Sequence, residues 1–306
     1  MELERDWKSS GEKREHGQQA MNGLVFHIVS GQAFFTGIGL IIAAIVSAEL
    51  DKRFARHLIG IALILGTLLV VTSSTAIPYW LYAVSIVAMI AWIISRFVSG
   101  WKRWAPAVAV GAWLIAAVGE IPFHVTPRLA PASSRSITVI GDSVTAGIDG
   151  DESSERWPSL LARQHDLEVH DISHIGETAS SALKRIRGKN IDAPVVLLEI
   201  GGNDILGSTT SSQFATDLEA LLTAVSDPQR QVIMFELPLP PFYHEYGRIQ
   251  RSLARKYHVA LVPKRVFLSI LAGNESTLDS IHLSQAGHLQ MADMVWNLVE
   301  SAFPAK

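Results

Sequence analysis

Four long apolar runs in the first 121 residues constrain this chain more than any other feature. They cover about Leu24–Ala48, His57–Val71, Pro78–Val98 and Trp104–Ile121. A helix that crosses a bilayer needs roughly 20 mostly apolar residues. The third run meets this easily, and the second does if Ser73 and Ser74 sit at its end. The first carries His27, Ser30, Gln32 and several glycines, so it is the weakest span. Gly31, Gly37 and Gly39 suit close helix contact. Tyr79, Trp80, Trp92, Trp101 and Trp104 cluster toward run ends, as interfacial anchors do. A buried bundle in a water-soluble protein is the rival reading, and four such runs in succession disfavour it. The expectation is an all-α transmembrane region of about four helices.

Short-loop charge sets the expected orientation. Lys52, Arg53 and Arg56 lie between the first two runs, and Arg96, Lys102 and Arg103 between the last two. The loop Ser73–Ile77 has no charge. Positive loops stay in the cytoplasm, so the chain after Ile121 is expected outside or in a periplasm. The tail Met1–Gln19 carries both signs and opposes this only weakly. His27 is ionisable at or near membrane depth, which makes it a functional candidate. A neutral histidine near the interface with a helix partner is the plainer reading.

Past residue 130 the composition becomes that of an ordinary globular domain. A length of 306 residues allows this division: a polar tail 1–22, the helical region 23–121, a Pro/Ser linker 122–136 and a domain 137–306. The formal charge of −3 gives no case for nucleic acid. Cysteine is absent, which excludes disulfide and thiol chemistry. The first twenty residues are too polar for a cleavable signal peptide.

In the last domain, strands and helices alternate. Strands are expected at Ile137–Ile140, Leu167–Ile172, Val195–Ile200, Val232–Leu237 and Val259–Val262. Helices are expected near Trp157–Gln164, Thr178–Arg187, Gln213–Val225, Tyr246–Tyr257 and Gln285–Phe303. Five strands alternating with helices imply an α/β fold, a doubly wound parallel sheet covered on both faces.

The segment ITVIGDSVTAG, residues 137–147, ends its strand at Gly141 and puts Ser143 in the following turn. Open α/β sheets bind ligands just past such strand ends. A serine hydroxyl needs a base to become a nucleophile, usually a histidine oriented by a carboxylate. Asp279-Ser280-Ile281-His282 supplies both, three residues apart on one side of a turn. His288, inside the terminal helix, is a competitor that reads as structural or surface. Acyl transfer also needs N–H donors for an oxyanion. Gly176, after the second strand, and Gly201-Gly202-Asn203-Asp204, after the third, offer them. Asp142 and Asp204 read as braces of their own turns. Glu199 and Glu236 sit at strand ends and need defined partners. Support of the site is expected of one of them, with local loop amides as the alternative. There is no metal-ligand spacing and no phosphate loop, so no cofactor is expected.

This ordered set resembles the SGNH, or GDSL, hydrolase superfamily. GDSVTAG at 141–147, HIGETA at 174–179, GGND at 201–204 and DSIH at 279–282 are similar to its blocks, over about Ile137–Phe303. The resemblance implies a flavodoxin-like sandwich with Ser143 as nucleophile, His282 as base and Asp279 as its orienter. It also implies an oxyanion hole of the Ser143 and Gly176 N–H groups and the Asn203 side chain. His174 and Ile175 stand where the superfamily often has an asparagine before the second-block glycine, which leaves the role of His174 open. The strained Gly-x-Ser-x-Gly elbow of α/β-hydrolases is absent. Joined to the apolar runs, the reading is a membrane-anchored extracytoplasmic serine esterase. Its expected partners are the lipid bilayer and a lipid or lysophospholipid ester. The alternatives are acetyl-ester hydrolysis or acyl transfer on envelope glycans, and a non-catalytic membrane binding module.

Overall fold

The computed structural model describes residues 22–50, 56–147, 155–273, 275–279 and 281–303. The charged tail Met1–Gln19, Lys52, Arg53 and Ser280 lie outside these residues.

Runs rich in Val, Ile and Leu form β1 (Ser136–Gly141), β3 (Val195–Glu199), β4 (Gln231–Phe235) and β5 (Ala260–Val262), and the polar segment Glu168–Asp171 forms the edge strand β2. All pair in parallel, in the order β2-β1-β3-β4-β5. The central strands β1 and β3 are buried along their whole length, as a sheet covered on both faces requires. One face packs Trp157, Leu160, Met291 and Val295; the other packs Phe214, Leu218, Leu221 and Leu253. Full burial of a side chain such as Phe214 stabilises by about 2 kcal/mol. The strand order reverses between β1 and β3, and their C-terminal ends open the crevice where such sheets hold ligands.

Among the described residues, five α-helices precede the sheet: α1 (Gly23–Val29), α2 (Gln32–Glu49), α3 (Arg56–Thr72), α4 (Tyr79–Ser95) and α5 (Ala105–Glu120). The first apolar run is therefore not one helix. It breaks at Ser30 and Gly31, where Gly31 takes φ +86° against Thr75. Among the described residues, Gln32–Glu49 and Ala105–His124 are long and apolar enough to cross a membrane. His57–Thr72 and Tyr79–Ser95 are apolar but shorter. Four crossing helices were expected, and two meet the length. The third run, expected to span easily, is cut at both ends. Pro78 precedes its first turn, and Arg96 leaves it to donate to Glu49 Oε1 at 2.8 Å.

Small residues bring α2 and α3 together, with one change from expectation. A Cβ on Gly37 would lie 2.6 Å from the Gly66 carbonyl oxygen, whereas Gly39 faces open space. The outer faces of the helices are apolar: Leu58, Ile61, Ile64, Val87, Ile115 and Val118 are all exposed. His27 has partners near its own helix, with its ring nitrogens 3.3 Å from Gln32 Oε1 and 3.0 Å from Thr36 Oγ1.

One end of the helical region, made of Gly31, Ser73–Ile77 and the Glu120–His124 turn, docks on the α/β domain. Leu239 N donates to Ser74 Oγ at 2.9 Å, and Arg248 donates to the Ile77 carbonyl at 3.3 Å. Ala76 joins the apolar core of the second sheet face. Arg251 bridges the two parts. Its guanidinium donates to both oxygens of Glu120 and to Glu236, each at 2.7 Å, with all three side chains buried. Glu236 is thus committed to the junction, not to the neighbouring loop amides.

Candidate active site

Strand register builds the centre. Gly141 on β1 pairs with Glu199 on β3, so the next residue, Asp142, lies over the β3 end. Its N–H donates to the Glu199 backbone and to Glu199 Oε2, at 3.2 and 3.1 Å. A Cβ on Gly141 would strike Thr145 Oγ1 at 2.4 Å, so this turn needs glycine. A short helix, Ser143–Ala146, starts there, with the Asp142 carboxylate accepting from Val144 N at 2.9 Å. Ser143 is nearly buried at that helix start.

His282 Nε2 lies 3.2 Å from Ser143 Oγ, and His282 Nδ1 lies 2.7 Å from Asp279 Oδ2. Asp279 Oδ1 also accepts from the Ile281 and His282 amides, at 3.2 and 2.9 Å. The carboxylate therefore fixes both the loop and the ring, and leaves Nε2 as acceptor toward the serine. Burial works against the Asp279 charge, but the His282 amide and ring outweigh it and hold its carboxyl below the usual range. The charged contact is whole above the ordinary aspartate value of about 3.9 and is lost as pH falls through the lower folded value. The loop is pinned downstream by Ser284, which caps the terminal helix at Gly287 N, 3.1 Å away.

Asn203 ties three blocks together. It sits in a short helix, Gly202–Leu206, entered through Gly201 at φ +115°. Its Nδ2 donates to Asp142 Oδ2 and to the Glu177 carbonyl, both at 3.1 Å. The amide thus links the residue before Ser143 to the residue after Gly176. Gly176 takes φ +72° with nothing near its missing Cβ, so conformation rather than crowding calls for glycine. Asp204 does not brace its own turn alone, as expected. It reaches Ala179 N at 3.0 Å and holds the helix Ala179–Ile186. His174 bonds within its own turn, to the Ile175 carbonyl at 2.8 Å. His288 is buried, with Nδ1 3.4 Å from Trp157 N, a structural position.

Glu199 is the buried support under the serine turn. Besides Asp142 N, its Oε2 accepts from Thr145 Oγ1 at 3.0 Å. Burial pushes its carboxyl well up, the adjacent Asp142 charge adds to this, and the two carboxyls share a hydrogen bond. Burial raises Asp142 too, but the Val144 N–H opposes it. One proton between them belongs on Glu199, with Asp142 as the acceptor for Val144 and Asn203. Glutamine mimics that protonated form. Glu199→Gln is expected to keep most turnover, whereas Glu199→Ala loses about ten- to a hundredfold by letting the turn move. A group with a raised folded value stabilises fully below its ordinary value and loses that contribution as pH rises through the folded one. Thermal unfolding of Glu199→Gln should therefore lack the fall with rising pH expected of the parent. Equal turnover in the alanine and glutamine variants would contradict this.

Sequence reasoning missed the Glu120–Arg251–Glu236 link and the helix Lys264–Leu271. The lone acid at the end of an apolar run was the available signal for the first.

Part of the chain matches known proteins. Residues 139–289 match the model of the GDSL-like Lipase/Acylhydrolase family. Esterase TesA of Pseudomonas aeruginosa is 26% identical over 179 residues, 54% of this chain and 88% of that protein. Thioesterase 1/protease 1/lysophospholipase L1 of Escherichia coli is 28% identical over 141 residues, 43% of this chain and 67% of that protein. A Pseudoalteromonas esterase EstA structure covers 55% of this chain and 97% of its own, at 22% identity and a TM-score of 0.48.

Proposed function

We propose, from the premise that residues 139–289 are a GDSL/SGNH hydrolase domain and a serine carboxylic ester hydrolase, that the whole chain is a membrane-anchored, extracytoplasmic esterase acting on lipid or lysophospholipid esters. Ser143 Oγ attacks the ester carbonyl carbon and gives its proton to His282 Nε2. The carbonyl becomes an oxyanion, held by the Ser143 and Gly176 N–H groups and by Asn203. The ester C–O bond breaks, the alcohol leaves with the proton from His282, and an acyl-serine remains. Water repeats the sequence, releasing the acid and restoring the serine. Asn203 gives up one of its present bonds to serve the oxyanion. Asn203→Ala is expected to lower kcat by about 10²–10³. An unchanged kcat would remove Asn203 from the oxyanion role.

The observation that carries the chemistry is the Asp279–His282–Ser143 chain of contacts at 2.7 and 3.2 Å. Anchoring is supported by the outward apolar faces of α2–α5, a surface that water does not sustain at this extent. Orientation is supported by the basic residues Arg96, Lys102 and Arg103 at the end away from the hydrolase domain. The lipid substrate class is supported by the lysophospholipase name of the Escherichia coli relative. Hydrolysis by the full-length protein in detergent, across esters from acetyl to long acyl, tests the substrate. Serine-dependent turnover that rises with chain length is expected. Turnover of acetyl esters alone would move the substrate to envelope glycans.

A further inference from the structure

The large apolar side chains left exposed on the hydrolase domain are not scattered. Among the described residues after Ile137 they are Ile175, Leu206, Phe242, Tyr243, Leu278 and Ile281, with Leu289 apart on the terminal helix. The first six all belong to segments at the C-terminal edge of the sheet, Leu206 in the short helix Gly202–Leu206 and the others in loops. Ile175 precedes Gly176, Leu206 ends the Asn203 helix, and Leu278 and Ile281 flank Asp279. Phe242 and Tyr243 lie in the loop after β4, where Leu237 and Leu239 are buried but Phe242 is 75% exposed. A positive φ of 73° turns the backbone at Phe242. Single exposed apolar residues need no explanation, whereas a rim of them around one centre does.

The helical region docks on that same edge. Ser74 bonds Leu239 in the loop that carries Phe242, and His244, two residues on from Phe242, bonds the Ser73 carbonyl at 2.7 Å. Arg248 lies 3.5 Å from the centroid of the Tyr79 ring, at the start of α4. The end of the bundle that docks on the hydrolase domain thus lies at the catalytic edge.

We infer that the catalytic edge faces the bilayer, and that this apolar rim sits in the adjacent lipid leaflet so that the acyl chain reaches Ser143 from the membrane. This rests on the membrane-anchored reading above. The occupant is the acyl region of the leaflet that surrounds the helices, because rim and bundle end are continuous. The rim is built for chains already in the membrane, since a soluble acetyl ester gains nothing from it.

The natural absence of cysteine makes the test clean. Phe242→Cys, Leu206→Cys and Lys189→Cys carry an environment-sensitive fluorophore in the full-length protein, reconstituted in phosphatidylcholine vesicles. Lys189 precedes β3 at the opposite edge and serves as control. Quenchers fixed in the acyl region should quench the label at 242 and 206 and spare it at 189. A Leu206→Asp/Phe242→Asp variant should lose about tenfold or more on a long-acyl ester held in the same vesicles. Its turnover of a soluble acetyl ester should stay within about twofold, as no catalytic contact changes. Labels at 242 and 206 that sense water in the reconstituted protein would overturn the inference, as would equal loss on both esters. Quenched labels without long-acyl turnover would leave the orientation standing and sink the lipid-ester reading instead. A chain that does not enter vesicles would sink the anchored reading, and the inference with it.

Discussion

Replacing Ser143 with alanine is expected to lower ester hydrolysis by about 10⁴-fold or more while leaving the fold intact. The size follows from how such centres work. Nucleophile and base act as one unit, so losing either removes nearly the whole covalent route. The residual rate comes from the oxyanion donors and from binding. Among the described residues the hydroxyl's one hydrogen bond is to His282 at 3.2 Å, so its removal orphans no partner there that holds structure. His282→Ala should cost a similar amount, and the double variant little more than either single one. Progress curves on a chromogenic ester, with thermal unfolding as the check on folding, measure all three. Losses that simply multiply in the double variant would show that the two residues act independently.

The largest effect on stability is expected at the junction. Arg251→Leu leaves Glu120 and Glu236 buried, with Lys264, 3.5 Å from Glu236, and His124, 3.6 Å from Glu120, left to face them. Burial works against the Arg251 charge, but Glu236 and Glu120 outweigh it and hold the guanidinium above its ordinary range. Breaking a buried pair by removing one partner costs about 3–5 kcal/mol, because an uncompensated charge stays behind. Arg251→Lys should also be poorly tolerated, since an ammonium does not reproduce the two parallel bonds to Glu120. The link joins residues 131 positions apart, so its loss should free the helical end from the hydrolase domain. Faster proteolysis in the 122–136 segment and a lower unfolding temperature in detergent are the expected results. Unchanged values for both would mean that the two parts are held together elsewhere. A triple replacement of Glu120, Arg251 and Glu236 by apolar residues of similar size is expected to recover much of the loss.

The legible and the hidden parts of this chain divide along a physical line. β1, β3 and β4 are local apolar runs closed by Gly, Pro or a polar turn, so they are readable within a residue or two. The candidate site was legible in part for the same reason: Ser143, Gly176 and Asn203 follow strand ends that the parallel topology brings to one edge, whereas Asp279 and His282 precede the terminal helix. Helix Lys264–Leu271 escaped because it is only eight residues long and follows a Val-Pro pair that reads as a strand end. The break at Ser30–Gly31 was hidden inside an apolar run, and its cause is contact with the distant Thr75. The roles of Glu199 and Glu236 were ambiguous in the sequence since each needed a partner from another strand or helix. Register supplied Asp142 to the first, and the docking of the helical region supplied Arg251 and Glu120 to the second.

The most direct test of the serine chemistry is covalent. Full-length protein is treated with an alkyl phosphonate ester, digested and mapped by mass spectrometry. The adduct is expected on the peptide carrying Ser143, at one per chain, and should be lost in His282→Ala, where no base takes the proton. A label on another residue, or no label on a preparation that still hydrolyses esters, would contradict Ser143 as the nucleophile.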